Sequence, residues 1–393
     1  MADVSVASAS RRIALFLPSL AGGGAERVAI NLAAGFLNRG YATDLVLAKA
    51  EGVFLEKVPP GVRVMDLGAS RPLTAVPALA RYLVAERPIA LLSKLTNSNI
   101  AALLAVRIAR SKARCVVCEE STLSIDLANS SWSNRLLLPK LLGYLYPRTH
   151  AVVAVSKGVA DDLSSVIGLQ RESIKVIYNP IVSPELALLS RESVNHRWFL
   201  GRSVPVIIGI GRLTRQKDFG TLIRAFAEVR KRIPSRLLIL GEGEDRRSLE
   251  QLCQSLGISD DVDFPGFVVN PHAFLARAAV FVLSSRWEGL GNVLVEALAA
   301  GIPVVSTDCP NGPSEILDHG RYGQLVPVED SAAMAEAIMR VMTGGFLAEN
   351  PWSRLDLFDT NGVIDSYLEL LVGRDNESRE QLAEYHNAAN RYL

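Results

Sequence analysis

Short apolar runs alternate along the chain with longer stretches whose apolar positions recur every three to four residues. The first kind reads as strands buried on both faces and the second as amphipathic helices; their alternation is the pattern of parallel sheets covered by helices. In the first half the pattern predicts strands at Ile13–Leu17, Thr43–Leu47, Val62–Leu67, Ile89–Ser93, Arg114–Cys118 and Ala151–Val155. A further strand, Ile174–Ile177, runs into Tyr178-Asn179-Pro180. A helix over Ala25–Leu37 follows the first strand, and Ser156 suits the N-cap of a helix over Lys157–Val166. The alternation stops between Ile181 and Ser190, where Pro180 and Pro184 mark a linker. It resumes with strands at Val206–Ile210, Leu237–Leu240, Val262–Phe264, Val280–Leu283, Val304–Ser306 and Gln324–Val326.

These arrays predict an α/β protein of two facing Rossmann-like domains with parallel sheets. Residues 1–180 form the first, as acceptor domain, and 191–355 the second, as donor domain. Residues 356–393 are expected to form a helical segment returning to the first domain, with a helix in the polar tail beyond Gly373. Doubly wound sheets bind ligands at their strand C-termini, so facing domains share one cleft.

Composition narrows the field. A chain of 393 residues, 49% of them hydrophobic, has material for two cores. Its net charge of +1, without a long run of either sign, excludes nucleic acid as the main partner. Arg11-Arg12 before Ile13–Leu17 mimics a signal sequence, but the apolar run is short and Pro18 interrupts it. With no stretch of about 18 uninterrupted apolar residues, the expected location is the cytoplasm. Cys115 and Cys118 make a C-x-x-C inside a predicted strand, with no second ligand pair at metal spacing; they read as buried thiols in a reducing compartment. The five histidines (His150, His196, His272, His319 and His386) form no metal cluster, so no metal and no cofactor are expected.

Candidate chemistry concentrates at residues 284–297. A buried strand ends at Leu283, a glycine-containing turn follows, and a helix starts near Gly291. Glu288 precedes the helix, and Glu296 lies about 7 Å inside it at ~1.5 Å rise per residue. Between them Gly289, Leu290, Gly291, Asn292 and Val293 offer the unbonded amides of a first helical turn, an anion site. The order is hydroxyl acceptor, phosphate cradle, hydroxyl acceptor, which matches the sugar, diphosphate and ribose of a nucleotide sugar. Taken singly, each carboxylate reads as a loop or helix-capping residue. Arg212 and Lys217, after the strand Val206–Ile210, supply cations for a leaving diphosphate. Gly22, Gly23 and Gly24, after the first strand, let backbone approach a phosphate. They do not complete G-x-G-x-x-G, and Leu47-Ala48-Lys49 stands where an NAD site needs an acid. Asp261-Val262-Asp263 mimics a metal-binding D-x-D and reads as turn chemistry. Gly241-Glu242-Gly243 reads as a lining of the nucleotide pocket.

Gly22 through Arg27, Gly211-Arg212-Leu213 with Gln216-Lys217-Asp218, and Glu288 with Glu296 together resemble the GT4 family of retaining glycosyltransferases, which have the GT-B fold. Ser156-Lys157-Gly158 and Tyr178-Asn179-Pro180 fit too. The resemblance implies that Arg212 and Lys217 bind diphosphate, Glu296 the ribose, and Glu288 the transferred sugar, with backbone around Phe267 meeting the base. It implies a UDP-linked donor and no metal. The segment 306–316 resembles a subgroup that adds hexoses or N-acetylhexosamines to lipid-linked glycans in bacteria. Many relatives carry Glu-His after the fifth strand; here Glu119-Glu120 stands instead, making Glu120 the remaining catalytic candidate beside Glu288, Arg212 and Lys217.

The implied acceptor is a glycan or polyprenyl-diphosphate-linked glycan, with Lys94, Asn97 and Asn99 expected to face the cleft. Residues 132–148 read two ways: a core-facing helix with a solvated side, or a helix resting on the cytoplasmic face of an anionic inner membrane. Two rival functions stand beside transfer. A nucleotide-sugar epimerase would isomerise sugar without acceptor, and a non-catalytic module would bind nucleotide sugar without transferring it.

Overall fold

The computed structural model describes residues 11–200 and 204–373. The helix expected beyond Gly373 lies outside the described residues, as do residues 1–10 of the first predicted domain. The first sheet holds β1 (Arg12–Leu17), β2 (Ala42–Leu47), β3 (Arg63–Asp66), β4 (Ala90–Lys94), β5 (Arg114–Glu119), β6 (Ala151–Ala154) and β7 (Ile174–Val176). Their order is β3-β2-β1-β4-β5-β6-β7 and every pairing is parallel. The second holds β8 (Val206–Ile210), β9 (Arg236–Leu240), β10 (Val262–Gly266), β11 (Val280–Leu283), β12 (Val304–Thr307) and β13 (Gln324–Val326). Its order is β10-β9-β8-β11-β12-β13, again parallel throughout. Helices cover both faces, which is why Ile13 through Leu17 of β1 have no exposure and read as one apolar run.

Both sheets reverse their winding beside their first strand, at β1/β4 and at β8/β11. A crevice opens at each reversal because the flanking loops diverge to opposite faces. The glycine loop follows β1, the Arg212–Lys217 loop follows β8, and the Glu288 loop follows β11. Topology therefore gathers segments far apart in sequence.

Ser156 caps the helix Lys157–Ile167 as its side chain predicts, accepting from the Val159 amide at 3.1 Å. The predicted linker needs correction. Pro184–Arg191 is a helix with Pro184 at its first position, where a missing N–H costs nothing. None of its residues is buried, so no apolar stripe announced it. From the second sheet the chain returns to the first. The amides of Ile181 and Val182 donate to the Phe358 carbonyl at 3.0 and 2.9 Å. The helix Thr360–Val372 then lies against the helix Gly24–Asn38 and against β4 and β5. Arg39 ties it down through Asp365 at 2.6 Å, and Tyr367 is wholly buried beneath the sheet.

Candidate functional site

Because β8 and β11 are neighbours, the loops leaving them run side by side. The Arg286 amide donates to the Gln216 carbonyl at 2.8 Å, Gln216 Nε2 to the Trp287 carbonyl at 3.0 Å, and Ser284 Oγ to the Lys217 carbonyl at 2.7 Å. This lacing sets Lys217 Nζ 2.5 Å from Glu288 Oε1, and Ser285 Oγ donates to the same oxygen at 2.6 Å. Both side chains are largely buried. Charge-assisted bonds in a partly dry cleft are short and hold their groups in one orientation. Arg212 is exposed and, among the described residues, forms no ion pair, leaving its guanidinium available to the cleft.

The helix Asn292–Ala299 begins at Gly291, whose φ of 94° suits glycine and carries no capping side chain. Its first-turn amides are thus not covered by a side-chain cap. A Cβ on Gly289 would overlap the carbonyl oxygen of Glu120, so backbone of the two domains meets there without side chains between. Leu290 buries its side chain in the core, so only its backbone belongs to the loop.

The first domain presses on this loop at several points. Thr122 Oγ1 donates to the Glu288 carbonyl at 3.0 Å and Ser156 Oγ to the Gly289 carbonyl at 2.7 Å. Asn179 Nδ2 donates to Asn292 Oδ1 at 2.9 Å, and Gly24 lies beside the Asn292 amide group. From the second domain Glu315 accepts from the Lys157 amide at 3.1 and 3.0 Å and from the Tyr178 hydroxyl at 2.5 Å. Two helix N-termini, at Gly24 and at Asn292, therefore face each other; neither N-cap residue supplies a side-chain cap, and the Glu26 carboxyl turns back on the Gly23 and Glu26 amides of the first. Positive ends of helix dipoles meeting across a cleft favour an anion between them. Glu26, in the first of these turns, has its carboxyl pushed up by burial, with Glu120 adding to the rise and Arg212 opposing it.

Glu296 lies one turn into its helix and is buried. Arg27 Nη1 approaches it to 3.6 Å from the opposite domain, and His272 Nδ1 to 3.9 Å. Burial holds the His272 ring below its usual pKa, partly offset by Glu296. Phe267 is half exposed, meets Phe54 edge-on at 6.2 Å, and Arg27 lies over the Phe54 ring at 5.5 Å. Gly22 sits close to Val53 and Phe267, completing this end of the cleft. Glu296 and Phe267 are legible as site residues from sequence; Arg27 appears there only as the last residue of the glycine motif, and neither Phe54 nor His272 carries a local signal that places it in the cleft.

Two expectations change. Asn99 does not face the cleft: it is buried, donating to Glu119 at 3.0 Å and to the Cys118 carbonyl at 3.0 Å. A helix start just after β4 turns this side chain inward. Lys94 is likewise wholly buried and forms an ion pair with Glu120. The D-x-D carboxylates serve the fold, as their turn setting predicts: Asp261 pairs with Arg230 and Arg236, and Asp263 Oδ2 accepts from His196 Nε2 at 3.0 Å. Among the described residues no group of three His, Cys, Asp or Glu could hold a metal. Cys115 and Cys118 are buried free thiols, pushed up to about 12 by burial.

The helix Trp132–Leu145 buries only Leu142 and Leu145. Trp132, Leu136, Leu137, Leu141 and Tyr144 are exposed. Arg135 is tied to the Leu127 and Ala128 carbonyls, while Lys140 points to solvent. No described helix is long and apolar enough to cross a membrane.

Comparison with known proteins adds an independent line. The family model described as Glycosyltransferase Family 4 matches residues 22–183, and that described as Glycosyl transferases group 1 matches residues 204–344. The chain is 34% identical over 242 residues to the lipopolysaccharide core biosynthesis glycosyltransferase LpsE of Rhizobium meliloti, spanning 60% of this chain and 68% of LpsE. It is 27% identical over 378 residues to the N-acetylgalactosamine-N,N'-diacetylbacillosaminyl-diphospho-undecaprenol 4-alpha-N-acetylgalactosaminyltransferase of Campylobacter jejuni, covering 92% of this chain and all 100% of that protein. Among solved structures, Anabaena HepE in complex with UDP and glucose matches with a TM-score of 0.70 at 22% identity, over 96% of this chain and 100% of HepE. The lipopolysaccharide outer core galactosyltransferase WaaB matches with a TM-score of 0.68 at 19% identity, over 93% and 100%. At such identities these structures bear on the fold alone.

Proposed function

The chain belongs to family 4 of the glycosyltransferases and has their GT-B fold, and from that premise we propose a retaining, metal-independent hexosyl- or N-acetylhexosaminyltransferase. The donor is a UDP-sugar, and the acceptor a glycan or polyprenyl-diphosphate-linked glycan. The product belongs to bacterial surface polysaccharide, lipopolysaccharide or glycoprotein glycan synthesis. The Campylobacter jejuni relative is named for transfer to a lipid-linked glycan, and HepE was crystallised with UDP; both support this choice.

The observation that carries the reading is the Lys217–Glu288 pair beside the uncapped start of the helix Asn292–Ala299. In this arrangement the diphosphate lies on the helix amides, with Lys217 and Arg212 supplying positive charge as the sugar–oxygen bond breaks. The bonding electrons leave with UDP. The acceptor hydroxyl attacks the anomeric carbon from the face that UDP departs, and its proton passes to the departing phosphate oxygen. Glu288 holds hydroxyls of the transferred sugar, and Glu296 the ribose diol. Because side chains carry the counter-charge, turnover should survive a chelator. The exposed apolar side of the helix Trp132–Leu145, with Lys140 beside it, is assigned to the cytoplasmic face of an anionic bilayer, where a lipid-linked acceptor resides.

A screen of UDP-sugars tests this by following UDP release with and without bacterial lipid-linked intermediates, with the product anomer read by NMR. Acceptor-dependent release and a retained anomer are expected. UDP binding without transfer to any acceptor would point to a binding module; isomerised sugar without acceptor would point to an epimerase.

A further inference from the structure

Lys94 ends β4, and its side chain has no exposure. Its ammonium forms an ion pair with Glu120 Oε1, and neither atom has a further hydrogen-bond partner among the described residues. Its other neighbours offer little. The ammonium lies 5.9 Å from the centre of the Tyr367 ring, and the Tyr367 hydroxyl is engaged with Cys118 Sγ at 3.3 Å. Glu119, next in the chain, is spent on Thr96 at 2.8 Å, Asn99 and Tyr146. Burial opposes the charged ammonium, but Glu120, Cys118 and Glu26 together hold its pKa above the usual value.

Such a pair is a poor way to hold a fold. Desolvating two charges costs several kcal/mol per ion before any attraction, and apolar residues of equal volume often do as well or better. A buried pair short of hydrogen bonds, at the end of a strand that opens on the cleft, asks for another reason. Its position supplies one. The backbone of Glu120 packs directly on Gly289, next to Glu288, and Thr122 two residues on bonds the Glu288 carbonyl. Glu120 thus sits at the sugar end of the donor loop, with its Oε1 held by the Lys94 ammonium.

We propose that Lys94 is a positioning residue whose buried ammonium fixes the Glu120 carboxylate at the sugar end of the cleft, where Glu120 accepts a hydrogen bond from a hydroxyl of the transferred sugar. Lys94 reaches no substrate itself. The last helix joins this device through Tyr367, which walls the ammonium from solvent. The inference rests on the donor placement described under Proposed function.

Three variants test it: Lys94→Met, Glu120→Gln, and both together. Each single variant strands a buried group and should lower the melting temperature. The double variant replaces the pair by neutral groups of similar shape and should recover most of that loss. Turnover should not recover: kcat falls about 100-fold in all three, on the scale of losing one polar contact to a reacting group. Calorimetry with UDP should give a native Kd in every variant. The extra affinity that UDP-glucose, UDP-galactose, UDP-N-acetylglucosamine or UDP-N-acetylgalactosamine shows over UDP should shrink. Native turnover in the double variant would make the pair purely structural and overturn the proposal; so would native turnover in Lys94→Met. If the native chain fails to bind UDP at all, the donor-site reading falls first, and this inference with it.

Discussion

Arg27 of the first domain and Glu296 of the second lie 3.6 Å apart across the cleft, each about one turn inside a helix whose start faces the other. The contact is long for an ion pair and partly exposed, so its own stabilising worth is small, about 0–1 kcal/mol. Its interest lies in the carboxylate it orients. A hydrogen bond from a ribose hydroxyl to a charged group is worth roughly 1.5–3 kcal/mol. Glu296→Ala should therefore weaken UDP binding by about 10- to 100-fold, and Arg27→Ala by less. Calorimetry with UDP checks both, and native affinity in Glu296→Ala would remove the ribose assignment.

The Lys217–Glu288 pair should matter far more for turnover than for folding. Lys217→Ala and Glu288→Ala are each expected to lower kcat by about 100- to 1,000-fold, the usual scale for losing a group that acts on developing charge. Lys217→Ala leaves Glu288 with Ser285 as its remaining side-chain partner, so its melting temperature should fall more than that of Glu288→Ala. Near-native turnover in both variants would sink the site.

Gly289 is where backbone of the two domains meets. A methyl group at this position would run into the Glu120 carbonyl oxygen, and neither partner is a flexible side-chain tip. Gly289→Ala should keep each domain's secondary structure by circular dichroism while separating the domains. Small-angle scattering should show a larger radius of gyration, and transfer should be lost. An unchanged radius with native turnover would contradict the contact.

The helix Trp132–Leu145 predicts a membrane effect separable from chemistry. Trp132→Ser with Leu137→Ser should reduce co-sedimentation with vesicles containing anionic lipid, and Lys140→Glu should reduce it further. UDP release on a water-soluble acceptor should be unaffected. Equal co-sedimentation of native and variant chains would return this helix to an ordinary solvated surface.

Much of the molecule is legible from local pattern, because a strand or a helix is decided by a few neighbouring residues. Every predicted strand forms with ends shifted by two residues at most; in the central strands burial on both faces leaves an unbroken apolar run. The Ser156 cap and the start of the helix after Gly291 were visible for the same reason. Pro184–Arg191 escaped because it buries nothing, and a proline at a first helical position looks the same as a linker proline.

What sequence could not determine is which side chains point where once loops from different strands converge. Lys94 and Asn99 follow the fourth strand's apolar run and read as cleft residues by position, but Lys94 is buried as the last residue of β4 against Glu120, and the helix after β4 turns Asn99 inward toward Glu119. Arg27 meets Glu296 from 269 positions away only because two sheets reverse their winding at facing crevices. The residue types needed for an anion and its sugar were thus set by the chain itself, through propensities acting over a few residues. Their partners were chosen by tertiary packing, since a contact between distant segments depends on strand order and domain docking, which no local pattern encodes.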